Sequence, residues 1–118
     1  MCLCASLGTT FDAGKMANVV AQFHFVANGV WRDLRRCAEC GQLWSVDVPD
    51  KYQAQIAVRV PREELWERFD TEPARKQFLL ESRGGPTAAI CLWKGCAKMQ
   101  VRGTVYCVDH LYATGARQ

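Results

Sequence analysis

The sequence predicts an α+β fold, a small antiparallel sheet with flanking helices that ends in a cysteine-rich metal module. Three observations carry this reading. Short alternating apolar runs at 42–48 and 52–60 have the period of half-buried strands. Segments 61–69 and 72–82 begin and end with helix signals. Seven cysteines and one of the two histidines fall into ligand-like pairs: Cys2-x-Cys4, Cys37-x2-Cys40, Cys91-x4-Cys96 and Cys107-x2-His110. Such spacings let one tight turn aim two soft ligands at one tetrahedral ion, which points to structural Zn²⁺, one ion or two.

Taken in order, residues 1–14 read as a loose lead-in or a short strand. Met16, Val19, Val20 and Phe23 then recur at helical spacing, which favours a helix over 15–28 closed by Asn28-Gly29; the β-branched and aromatic content of 19–26 supports a strand as the rival. Cys37-Ala38-Glu39-Cys40-Gly41 is a compact knuckle, its glycine freeing the backbone to turn amide groups toward the sulfurs. In the 52–60 run Ala54, Ile56, Val58 and Val60 share one face and Gln53, Gln55 and Arg59 the other, so it pairs with the 42–48 strand. Pro61 opens a helix to about Phe69, with Glu63 and Glu64 in its first turn. Thr71 caps a second helix, on which Ala74 and Phe78 form an apolar pair, and Gly84-Gly85-Pro86 stops it.

The 118 residues are the size of one domain, 1–118. Within it, 15–83 forms an α+β core carrying the Cys37/Cys40 knuckle, and 90–118 forms a C-terminal zinc-finger module beyond the glycine hinge. With 49% hydrophobic residues the chain can bury a real core, so metal supports the fold without being its only prop. The formal charge of +3 is modest, and seven thiolates on two Zn²⁺ ions would bring it to about zero. That disfavours general phosphate-backbone binding. An odd cysteine count argues for metal-bound thiolates in a reducing, cytoplasmic setting over a disulfide scaffold. The N-terminus has no basic region followed by a long apolar run, and no apolar stretch is long enough to span a membrane.

In the C-terminal segment, Cys91 and Cys96 lie on a turn, a short hairpin follows with its turn near Arg102-Gly103, and Cys107 and His110 open a helix, where i, i+3 spacing puts them on one face. This order resembles a treble-clef or zinc-ribbon finger. Gly95-Cys96, Lys98, Gly103-Thr104, Cys107 and His110 also resemble the Gly-Cys-x-Lys-x3-Gly-Thr-x2-Cys-x2-His fingers appended to some plant WRKY-type regulators. The likeness covers about 20 residues, and the Cys96–Gly103 gap is looser. The Gly-Gly-Gly and Cys that follow the histidine in those fingers are replaced here by Leu111-Tyr112-Ala113-Thr114-Gly115. The resemblance implies a Cys3His zinc site.

Two partitions of the ligands remain open. In one, Cys91, Cys96, Cys107 and His110 bind one ion, while Cys37 and Cys40 bind a second with Cys2 and Cys4. In the other, Cys37 and Cys40 join Cys107 and His110 around a single ion, and Cys91 and Cys96 pack or serve as extra ligands. Ordering a chain terminus costs entropy, which makes free thiols the plain alternative for Cys2 and Cys4. His24 reads as a partly buried, hydrogen-bonded side chain. Trp31-Arg32-Asp33-Leu34-Arg35-Arg36 reads as a solvated face, and Trp93, between two ligands on an exposed turn, as the anchor for a partner.

No His-Glu-x2-His and no deaminase-type pattern occurs. The expectation is a non-catalytic protein–protein interaction module, an adaptor, inhibitor or immunity-type protein. The alternative is a nucleic-acid-binding regulator. Convergence of Arg32, Arg35, Arg36, Lys94, Lys98 and Arg102 on one face would favour nucleic acid; an apolar patch around Trp93 would favour protein.

Overall fold

Alternation along five short segments builds an antiparallel sheet in the order β1-β5-β4-β3-β2. The strands are β1 (Thr10–Asp12), β2 (Phe23–Asn28), β3 (Arg32–Cys37), β4 (Leu43–Asp47) and β5 (Ile56–Val60). The one-turn helix α1 (Ala17–Val20) links β1 to β2. The structure is a computed structural model that describes residues 2–50 and 53–118. The chain forms two compact units, Met1–Thr71 and Glu72–Gln118. The boundary falls ahead of the glycine pair, so the helix of 72–82 belongs with the C-terminal segment and not with the sheet.

Successive side chains on a strand point to opposite faces, and both faces of this sheet are covered. On one, Trp44 is fully buried with Phe11 edge-on at 4.9 Å and Phe23 stacked at 6.2 Å. Val19 of α1, Val46, Ala57 and two cysteines, Cys4 and Cys37, complete that cluster. On the other, Leu34 and Val60 pack with Trp66. Double coverage explains why Ile56, Ala57, Val58 and Val60 are all buried, where the sequence placed one solvated face on β5. The start of the expected 52–60 strand, at Tyr52, lies outside the described residues; β5 itself begins at Ile56 and pairs with β4 as expected.

Three expectations are corrected. The 15–28 helix reduces to one turn at Ala17–Val20, and Phe23–Asn28 is strand β2 paired with β3, because Phe23 reaches the Trp44 cluster from there. The 61–69 helix is a 3-10 turn at Trp66–Arg68 after Leu65, which has φ 58°. That kink drives Trp66 inward against Gly29, where a Cβ would lie 2.7 Å from the indole. Finally, His24 is exposed on β2.

The second unit holds α2 (Glu72–Ser82), β6 (Pro86–Ile90), β7 (Met99–Val101) and α3 (Val108–Ala113). Strands β6 and β7 are antiparallel. Leu79, Val101 and Leu111 form the core between the helices and the hairpin, flanked by Leu80, Tyr106 and Tyr112. The helix expected at 72–82 is present, but it buries Arg75 and Leu79, with Ala74 and Phe78 half-buried. Among the described residues no helix is long and apolar enough to cross a membrane.

Candidate metal centres

The cysteines and His110 gather into two tetrads, Cys2/Cys4/Cys37/Cys40 and Cys91/Cys96/Cys107/His110, each with its ligand atoms within 4.8 Å of one another. Each tetrad lies within one unit, and the grouping is that of the two-ion partition. The single-ion set of Cys37, Cys40, Cys107 and His110 corresponds to neither.

In the first centre, Cys37 ends β3 and the chain turns at once: the Gly41 N–H donates to the Cys37 carbonyl at 3.1 Å with Gly41 at φ 78°. Burial opposes ionisation of Cys37, but the backbone N–H groups of Cys40 and Glu39 donate to its sulfur and bring its pKa down to about 7. Cys2 and Cys4 arrive from the other side. The lead-in is held because β1 pairs with β5, and because the Arg59 guanidinium donates to the carbonyls of Gly8 and Cys4. These contacts offset the entropy that made the terminus look free in the sequence. Burial pushes the Cys4 thiol up to about 12. The fully buried Trp44 indole N–H makes no hydrogen bond at ordinary distance, yet it favours the Cys4 thiolate. A buried donor of this kind fits a sulfur kept ionised by a metal.

In the second centre, Cys91 follows β6 and Cys96 follows Gly95, which turns at φ 82°. Cys107 stands at the N-terminal boundary of α3, and His110 lies in its first turn. The strand pairing joins β6 to β7, so the first ligand pair sits in the loop of the hairpin, with the Arg102-Gly103 turn after β7. The Trp93 N–H points at the Cys91 sulfur at 3.4 Å. Burial opposes ionisation of Cys91, and the N–H groups of Cys107 and Trp93 with His110 outweigh it, bringing its pKa to about 6.

The distances between these donors test the fit. A tetrahedral ion with bonds of about 2.3 Å to sulfur and about 2.05 Å to nitrogen separates two sulfurs by about 3.8 Å and a sulfur from a nitrogen by about 3.6 Å. Cys96 and Cys107 sulfurs are 3.8 Å apart; His110 Nδ1 is 3.5 Å from Cys91 and 3.3 Å from Cys107. Nδ1 is therefore the nitrogen turned to the site. Trp93 stacks on the His110 ring, with Tyr106 edge-on to the indole at 5.8 Å, so the residue read as a partner anchor also orients a ligand. Behind the helix, Asp109 is gripped by Lys98 and Lys76, whose ammonium groups hold its carboxyl below the usual range.

The six ligands picked out in the sequence, Cys37, Cys40, Cys91, Cys96, Cys107 and His110, all fall in a tetrad. Cys2 and Cys4 complete the first; their spacing was the available signal, and the strand that anchors them was not. Comparison with protein-family models, curated proteins and solved structures finds no match to this chain.

Proposed function

We propose that this is a non-catalytic protein with two structural zinc ions, which rigidify two small platforms for binding another protein. Zinc is the ion these donors suit: soft thiolates, one imidazole and, in the second centre, separations close to tetrahedral edges. Four protein donors per centre fill the coordination sphere and leave no open position for a substrate, which supports a structural role over an enzymatic one. The treble-clef arrangement belongs to the same reading.

The observation that carries the protein-binding reading is where charge and apolar surface stand. Five of the six basic residues that would define a nucleic-acid face are engaged within the fold. Arg36 pairs with Glu63 at 2.6 Å and Arg35 with Asp33 at 3.8 Å. Arg32 donates to the Glu67 carbonyl, Arg102 to that of Gly84, and Lys98 pairs with Asp109. Only Lys94 makes no such contact among the described residues. Apolar side chains do the reverse. Ile90 and Met99 face each other across the hairpin, and Leu92 and Val105 are bridged by a backbone hydrogen bond; all four are exposed, as is Trp93. In the first unit, Trp31 (77% exposed, φ 63°) and Leu65 (69% exposed, φ 58°) are held in left-handed backbone that bulky residues seldom adopt. Strained backbone clusters at functional sites, which supports a recognition role for these two exposed side chains.

Two experiments test this. A photo-crosslinking residue at Leu92 is expected to capture a discrete protein in the native cell, with capture lost in a folded Ile90→Asp variant. Sub-micromolar, salt-dependent binding of the metal-loaded protein to mixed-sequence DNA or RNA would instead favour the nucleic-acid regulator.

A further inference from the structure

The two centres differ in charge and in access. A divalent ion with four thiolates carries about −2, and one with three thiolates and a neutral imidazole about −1, so the first centre holds the more electron-rich sulfurs. Cys40 is exposed and Cys2 half-buried. A cavity of ≈ 370 Å³ is lined by Cys2, Cys4 and Cys37 together with polar and apolar side chains. Cys40 can thus be met directly from solvent, while Cys4 and Cys37 are buried beside the cavity. The second centre likewise has two buried cysteines, Cys91 and Cys107, but its third, Cys96, is half-buried and none is exposed, and Trp93 lies over one face of its single nitrogen ligand.

We propose that the first centre is an oxidation site for hydrogen peroxide, which expels its zinc as Cys37 and Cys40 join in a disulfide, while the second centre keeps its metal. The proposal rests on the zinc reading above. The exposed Cys40 thiolate attacks one peroxide oxygen, the O–O bond breaks, and Cys40 becomes a sulfenic acid with hydroxide leaving. The Cys37 thiolate then displaces the second hydroxide and the S–S bond forms; the Cys-x2-Cys turn already holds both sulfurs in one tetrad. Peroxide is the two-electron oxidant. Four protons are taken up: two turn the hydroxides into water, and two convert Cys2 and Cys4 to thiols as Zn²⁺ departs.

The test uses the full-length, metal-loaded protein. Native mass spectrometry first counts zinc. Hydrogen peroxide is then added with a chromogenic zinc chelator, and alkylation with peptide mapping locates the disulfide. The expected result is release of one zinc of two, a Cys37–Cys40 disulfide, alkylatable Cys91, Cys96 and Cys107, and reloading after reduction. In Cys40→His, which keeps a fourth ligand and cannot form the disulfide, release is expected to slow about tenfold or more. Should that variant fail to load, the mapping on the unaltered protein decides. Release of both zincs at one rate, or first oxidation at Cys91, Cys96 or Cys107, overturns this inference alone. A protein that carries no zinc from the outset overturns the zinc reading with it.

Discussion

Trp93 lies face to face with His110, their ring centroids 4.5 Å apart and their planes 4° from parallel. Only one nitrogen of an imidazole can enter the metal site, so a stacked neighbour that fixes the ring also fixes the ligand. Groups that orient a metal ligand typically govern 10- to 100-fold of affinity. Trp93→Ala should therefore weaken zinc at the second centre by about 10-fold or more, leave the first unchanged, and be largely rescued by Trp93→Phe. Chelator competition with each variant reads this out; equal losses at both centres would refute the assignment.

Trp44 has the opposite character. It is fully buried between Phe11 and Phe23, with the Arg59 guanidinium over its ring at 4.8 Å. Trp44→Ala should cost about 3–5 kcal/mol in the first unit, seen in urea unfolding, and should weaken the first metal centre through Cys4. The C-terminal unit should keep its own metal. A variant of near-normal stability would mean that the Trp44 cluster is not the core of that unit.

Gly29 offers a narrower test. A methyl group there meets the Trp66 ring at 2.7 Å and the Arg32 carbonyl at 3.1 Å. Gly29→Ala should destabilise the sheet unit by about 1–3 kcal/mol through overpacking, even though alanine normally favours regular structure. A neutral or stabilising effect in thermal melts would show that Trp66 does not pack as described.

Acidity should act through the thiols. Cys91 near 6 and Cys37 near 7 are largely or half ionised at neutral pH, whereas burial keeps Cys4 near 12 protonated until metal displaces its proton. Metal uptake at pH 7.5 should release protons, and affinity should fall as pH drops, by about tenfold per pH unit for each proton displaced. Calorimetry in buffers of different ionisation heat measures the proton count; an affinity flat between pH 6 and 8 would contradict thiolate ligation.

Much of this was legible in the residues. Strand β4, helix α2 and the ligand pairs follow from alternation, capping and spacing, which are local. What escaped was set by distant contacts. The Met16–Phe23 spacing imitates a helix because Val19 and Phe23 both reach the Trp44 cluster, one from a single turn and the other from a strand. Segment 61–69 has helix-start signals, yet burying Trp66 behind Gly29 wins over continuing the helix through Leu65. Cys2 and Cys4 looked free because the hydrogen bonds that hold the lead-in, at Cys4 and Gly8, come from Arg59, far along the chain.

Whether the protein holds two independent zinc ions is decided by elemental analysis of the natively purified protein beside a Cys107→Ser variant. About two zincs per chain are expected, falling to about one in the variant with the remaining ion at Cys2/Cys4/Cys37/Cys40. One zinc that vanishes in the variant, or no zinc in either protein, would contradict it.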